Sequence, residues 1–194
     1  MQNENTKKLV EAAAMVALAF VLSFIRLFKL PWGGSVTLLS MLPILVYAIR
    51  RGTAWGLMCS FAFSLLQFFQ GIGDGLFGWG LTPGALVACI FLDYILAYTA
   101  VGLGGIFRKK GFAGWMCGIV IAVVVRFFVH FLSGCLLWQS YGSLWDGFST
   151  DNTYLYSLLY NGAYMLPELI FTLIGAAVLL SVPATKKFLI VENN

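Results

Sequence analysis

The sequence predicts an all-α integral membrane protein with six spanning helices, and three observations carry that expectation. The first is composition: of 194 residues, 60% are hydrophobic and only 10% are charged, with a mean hydropathy of +0.89. A soluble domain carries about 25% charged and about 45–50% apolar residues, so this excess does not fit inside one water-soluble core. The same numbers exclude a disordered chain, which is polar and charge-rich. Second, the apolar residues form long continuous runs rather than the alternating segments of a membrane β-barrel. Third, the basic residues gather in short clusters between those runs, as they do in membrane loops.

At about 20 residues per span the length holds about six spans and no separate soluble domain, so residues 1–194 read as a single membrane domain. The first span is expected at 9–28. Lys7 and Lys8 precede it as they would in a signal peptide, but the apolar run from Leu9 to about Ile25 is long for a cleaved leader and reads as a retained helix. The second, at 36–50, is short and therefore tilted or partly irregular. The third runs over 54–71 and the fourth over 84–106. The fifth, 112–138, is long enough to be tilted or to project beyond the lipid. The sixth is expected at 155–182.

Orientation follows from the 12 Lys and Arg residues, which outnumber the 8 Asp and Glu to give a formal charge of +4. With the N-terminus inside, Lys7-Lys8, Arg50-Arg51, Arg108-Lys109-Lys110 and Lys186-Lys187 all fall on the cytoplasmic side, and so do both termini. The basic excess thus reports topology rather than a nucleic acid partner. The opposite loops, 29–35, 72–83 and 139–154, hold Trp32, Trp79, Tyr141 and Trp145 with Asp74, Asp146 and Asp151. Taken singly, such tryptophans and tyrosines read as interface anchors.

Several chemistries are disfavoured. Cys59, Cys89, Cys117 and Cys135 stand singly in apolar surroundings, without metal-ligand spacing, and read as small buried hydrophobes. A single histidine gives little scope for a metal cage, and no metal or resident cofactor is expected. There is no P-loop, so the chain does not hydrolyse ATP by that route, and no HExxH or GxSxG argues for catalysis. The expectation is therefore not an enzyme.

Ionisable groups inside spans are costly and are functional candidates by default. Asp93, His130 and Asn161 lie on three different helices, each about 10–14 Å below the outer surface at about 1.5 Å per residue. An acid, an imidazole and an amide thus share one level. Arg126, His130, Gly134 and Trp138 form one stripe of the fifth helix; Asn161, Tyr164 and Glu168 form one of the sixth. Arg126 and Glu168 lie deeper and are expected to pair beneath the site. One carboxylate among many aromatic rings suits a small, flat, cationic or nitrogen-rich solute.

The residues also resemble a known family. Leu42-Pro43-Ile44 leads to Arg50-Arg51-Gly52; Leu92-Asp93-Tyr94 is followed by Ala97; Arg126-Phe127-Phe128-Val129-His130-Phe131 precedes Gly134 and Trp138. Tyr156-Ser157-Leu158 and Tyr160-Asn161-Gly162 continue into Tyr164-Met165-Leu166-Pro167-Glu168. In order and spacing across nearly the whole chain, these pieces resemble the thiamine-specific S components (ThiT/YuaJ type) of energy-coupling-factor (ECF) vitamin transporters.

That resemblance implies a plasma-membrane subunit of a bacterial cell that captures thiamine from outside for ATP-driven uptake. Its partners would be a shared ECF transmembrane subunit and two ATPase subunits. Substrate-binding positions would fall on Asp93, Tyr94, His130, Trp138, Tyr156 and Asn161, with Trp32 from the first outer loop. Asp93 and Phe63 stand where the family can carry glutamate and tryptophan. Arg126, Glu168 and Tyr164 would support the site. Ala13 and Ala17 on the first helix would form the small-residue strip against the shared subunit.

Other readings stay open at this point. The chain could be an S component for another flat heterocyclic vitamin or precursor, which a titration across vitamins separates. It could be an intramembrane enzyme using Asp93 or Glu168 with His130, which product formation by the purified protein would reveal. It could also be a structural assembly protein with a polar helix interface and no ligand, which the shared depth of three polar groups modestly disfavours.

Overall fold

The structure is a computed structural model that describes residues 3–140 and 142–190, with Trp32 and Ile190 described by backbone alone. Helix α1 spans Glu4–Ser23, started by the Asn3 side chain accepting from the Asn5 N–H. The expected first helix thus begins earlier and ends sooner than 9–28. The apolar residues after Ser23 leave it for strand β1, Arg26–Lys29, which pairs antiparallel with β2, Ser35–Thr37. The hairpin turns through Pro31–Gly33 with Gly33 at φ +94°, a conformation that glycine adopts without steric cost.

Because β2 takes the first residues of the expected second helix, α2 is only Leu42–Arg51. At about 1.5 Å per residue it reaches about 15 Å, half of a bilayer core of about 30 Å. Nine of its ten residues are buried, and it forms the middle of the core with Ile119, Ala122 and Val123 and with Met165, Ala176 and Leu180. A helix apolar on all sides belongs in such an interior.

Helix α3, Thr53–Gly73, follows directly after Gly52 at φ +92°. The next rod, α4 (83–105), starts with Thr82 capping the Ala85 N–H and is α-helical over Pro83–Cys89. It widens to a π-helix over Ile90–Leu96, returns to one α turn at Ala97–Thr99 and ends as a tight 3-10 stretch, Ala100–Gly105. The fifth rod, α5 (111–138), is α-helical over Gly111–Ser133 and π-helical over Gly134–Trp138. A second hairpin, β3 (Gly142–Trp145) with β4 (Phe148–Thr150), leads to α6, Thr153–Ser181. A final helix without counterpart in the expected set, α7, covers Pro183–Ile190.

Among the described residues, three stretches are long and apolar enough to cross a membrane: Thr53–Gly73, Pro83–Trp138 and Thr153–Ser181. The middle one folds back on itself, since Gly118 of α5 lies against Gly104 of α4. A Cβ at Gly118 would stand 2.3 Å from the Gly104 carbonyl oxygen, and one at Gly102 would stand 2.4 Å from the Leu57 backbone N of α3. Only glycine permits these approaches, the usual means by which membrane helices pack without a hydrophobic driving force.

The basic clusters meet at one end. Arg51, its side chain 1% exposed, binds Glu11 through Nη2 at 2.6 Å, and Tyr47 donates to the Lys8 carbonyl at 2.9 Å. Arg108 donates to the Arg50 carbonyl at 3.0 Å, and the Arg50 guanidinium lies 3.5 Å from the Phe188 ring centre, which docks α7. The two hairpins and the α3–α4 loop form the other end.

Candidate functional site

Beneath the hairpin end a cavity of about 810 Å³, its open mouth included, is enclosed by α4, α5, α6 and the β1–β2 hairpin. Pockets for small organic ligands run to about 300–1,000 Å³. Seven of its described lining residues are tryptophan or tyrosine: Trp79, Tyr94, Tyr98, Trp138, Tyr156, Tyr160 and Tyr164. Asp93 is the only carboxylate among those lining residues, and Arg126 and His130 stand at the same wall.

The two π-helical segments supply the residues that differ most from a plain helix surface. Asp93 and Tyr94 lie in one, Gly134 and Trp138 in the other. A π turn admits an extra residue between hydrogen-bonded partners and so re-aims the side chains it carries, which is why such turns concentrate at functional sites.

Asp93 is the hub. Ser133 donates to its Oδ2 at 2.5 Å, Cys89 at 3.3 Å and the Trp138 indole at 3.4 Å. His130 Nδ1 lies 2.9 Å from Oδ1. The imidazole is wedged edge-on between Tyr98, at 6.3 Å and 88°, and Tyr164, at 6.1 Å and 71°. Its Nε2 is buried with no hydrogen-bond partner among the described residues. Asn161 ties α6 to α5: its Nδ2 donates to the Ser157 carbonyl at 2.9 Å and the His130 carbonyl at 3.4 Å. Its Oδ1 accepts from the Tyr164 hydroxyl at 2.8 Å. The acid, the imidazole and the amide placed at one depth by sequence are thus brought into one network.

Tyr156 stacks on Tyr160 at 6.4 Å and 12°, and Tyr94 packs against Gly71 of α3, where a Cβ would collide with its hydroxyl. Other expected residues stand elsewhere. The Trp32 side chain lies outside the described residues. Phe63 is fully buried and does not line the cavity; it supports Tyr98 edge-on at 5.8 Å.

The expected Arg126–Glu168 pair is not formed. Arg126 packs over the Tyr98 ring at 4.1 Å and reaches Met41 Sδ at 2.8 Å. Glu168 instead accepts from the Thr37 backbone N–H and hydroxyl, each at 2.6 Å. The hairpin, absent from the expected set of elements, brings Thr37 to Glu168 and takes up the carboxylate. Ala13 and Ala17 are exposed on α1.

Sequence reasoning missed Tyr98, Ser133, Cys89 and Trp79 as parts of the site. The helical period held a signal for Cys89, which lies one turn before Asp93, but none for the loop residue Trp79.

The mouth is fixed by charge outside the spans. Arg26 of β1 grips Asp74 at the end of α3 with two hydrogen bonds, 2.8 and 2.6 Å, and Lys29 adds a third at 3.0 Å. Partial burial alone would raise the Asp74 carboxyl, but the bonds from Arg26 and Lys29 outweigh it and hold it below its ordinary value.

The sequence model of the family described as thiamine transporter protein (Thia_YuaJ) matches residues 9–188. The chain is 28% identical over 183 residues to the thiamine transporter ThiT of Bacillus subtilis (strain 168), covering 87% of this chain and 88% of that protein. It is 28% identical over 200 residues to ThiT of Lacticaseibacillus paracasei, covering 93% and 90% respectively. A solved structure of ThiT from Listeria monocytogenes superposes with a TM-score of 0.75 at 28% identity, over 96% of this chain and 99% of that one. With a family match over nearly its whole length and the fold in common, the chain belongs to the Thia_YuaJ thiamine transporter family, multi-pass proteins of the bacterial cell membrane that transport rather than catalyse.

Proposed function

We propose that the chain is the substrate-capturing S component of an ECF-type uptake system, binding thiamine from outside the cell for import energised by partner ATPases. The observation that carries the reading is the Asp93 carboxylate set in an aromatic-walled cavity. Thiamine joins a cationic thiazolium to a planar aminopyrimidine. Ring faces attract a cation, and a carboxylate neutralises it. Asp93 compensates the thiazolium charge. Its bond to His130 Nδ1 fixes the ring, so that Nε2 is free to accept from an amino group of the ligand. Trp138 and Tyr156 supply ring faces and Tyr94 a further wall; Trp32 would add another from the hairpin. Asn161 holds α6 against α5 and offers its carbonyl oxygen to the pyrimidine. Arg126 and Tyr164 brace the floor.

Import needs energy that the chain has no nucleotide motif to draw on. The exposed Ala13 and Ala17 on α1 offer a smooth strip for a shared transmembrane partner subunit that carries two ATPases. The basic end, which holds Lys8, Arg50, Arg51 and Arg108, would face the cytoplasm and the site the exterior.

Intrinsic fluorescence tests the reading. The Trp79 and Trp138 rings lie 5.6 Å apart at the cavity, so thiamine should quench emission saturably and with 1:1 stoichiometry. A folded sample that responds to another flat vitamin and not to thiamine would transfer the role to that vitamin. No response to any would remove the reading.

A further inference from the structure

We infer that Trp79 is a wall of the binding site, an aromatic face that sets how long a flat cationic ligand stays bound and how strongly it is preferred over a neutral one. The inference rests on the thiamine-binding reading and assigns it a residue from outside the spanning helices.

A tryptophan in a loop at membrane depth ordinarily anchors in the headgroup region. Trp79 is placed otherwise. It is half-buried, lines the cavity, and its ring stands 5.6 Å from that of Trp138 at 57°. Two rings tilted in this way form adjoining walls rather than a closed stack. Trp138 in turn donates to Asp93, so Trp79 extends the aromatic surface that begins at the carboxylate.

The residue is held there from two sides. Its loop is anchored by Leu76, 1% exposed, and turns through Gly75 at φ +96° and Gly80 at φ +76°. The base of the loop, Asp74, is locked to β1 by Arg26 and Lys29. From the other side the hairpin presses a bare backbone against the indole: a Cβ at Gly33 would lie 2.9 Å from Trp79 Cη2. The contact thus joins the hairpin, the α3–α4 loop and α5 at the mouth of the cavity, and a ligand leaving on that side must move the ring.

Trp79→Leu keeps apolar bulk and removes the aromatic face, while Trp79→Phe restores a face. In stopped-flow release measurements Trp79→Leu should lose thiamine about tenfold faster, with a matching rise in Kd and little change in association rate, and Trp79→Phe should recover most of the loss. The preference for thiamine over a neutral analogue, in which carbon replaces the thiazolium nitrogen, should narrow in Trp79→Leu and return in Trp79→Phe. A folded Trp79→Leu with parental release rate and parental preference would overturn the assignment while leaving thiamine binding standing. A parent protein that does not bind thiamine would overturn both.

Discussion

Replacing Asp93 by asparagine keeps the shape of the hub and removes its charge. The carboxylate side chain is 17% exposed, so its field is only partly screened. For a thiazolium held about 4 Å away in a medium of effective dielectric about 20, the attraction is about 4 kcal/mol; in bulk water it would be about 1 kcal/mol. At about 1.4 kcal/mol per tenfold, and allowing for the residual amide dipole, Asp93→Asn should weaken thiamine by about 100- to 1,000-fold. The substitution also turns an amide N–H₂ toward groups that now donate to Oδ2, from Ser133, Cys89 and Trp138, so some loss of melting temperature is expected as well. Calorimetric titration of thiamine and of its neutral carbon analogue separates the two effects. Loss of charge complementarity weakens only the cation strongly and flattens the difference between the ligands. Equal weakening of both would mean that Asp93 acts by shaping the cavity, and parental affinity for thiamine would refute the electrostatic argument altogether.

Three further outcomes are expected. Asn161→Ala removes the ties to the His130 carbonyl and the Tyr164 hydroxyl along with a ligand acceptor, so thiamine affinity should fall roughly 5- to 150-fold, at about 1–3 kcal/mol for a lost buried polar contact; an unchanged titration would exclude Asn161 from the site. Ala13→Trp should leave thiamine binding by the isolated subunit intact and abolish energised uptake in cells, whereas loss of binding would place Ala13 in the fold rather than at a partner interface. Asp74→Asn should lower stability at neutral pH by about 1 kcal/mol, a value already reduced for solvent screening of a partly exposed pair. Since the folded Asp74 pKa lies below its ordinary value, this contribution is complete at neutral pH and is lost as pH falls below about 4. Thermal melts of parent and variant should therefore converge in acid, and a gap that persists there would rule out the ion pair as its source.

Much of the frame was legible because long apolar runs have only one economical fate in a bilayer. The expected 54–71 and 155–182 agree with Thr53–Gly73 and Thr153–Ser181 to within a few residues. Asp93, His130 and Asn161 could be brought together from depth alone, since a helix rises by a constant step. The hairpin at 26–37 was not legible. Leu27 and Phe28 continue the apolar run of α1, and nothing in composition marks where helix yields to strand. That omission propagated: without β2 there was no Thr37 to receive Glu168, and Arg126 seemed its natural partner. Trp79 was hidden for a related reason, because its position depends on a loop conformation and on Gly33, distant in sequence. Phe63 shows the converse, a position suggested by resemblance that the packing gives to Tyr98 as a buried support.

The π turns in α4 and α5 bear on how such a site can diverge. A hydrogen bond that spans one extra residue marks a place where a single codon can be gained or lost without breaking the rod. Deleting one residue from 90–96 would restore α geometry and leave the flanking turns nearly in register, because the wide turn already takes up the extra residue; only the side chains within the turn would be re-aimed. Asp93 and Tyr94 would then swing relative to the glycine seam at Gly102 and Gly104 that holds α4 to its neighbours. Ligand-facing and packing halves of one helix are in this way coupled through a joint that insertions and deletions can reset. Lineages of this fold could retune what they carry by a length change of one residue, and position-by-position substitution counts would pass over it.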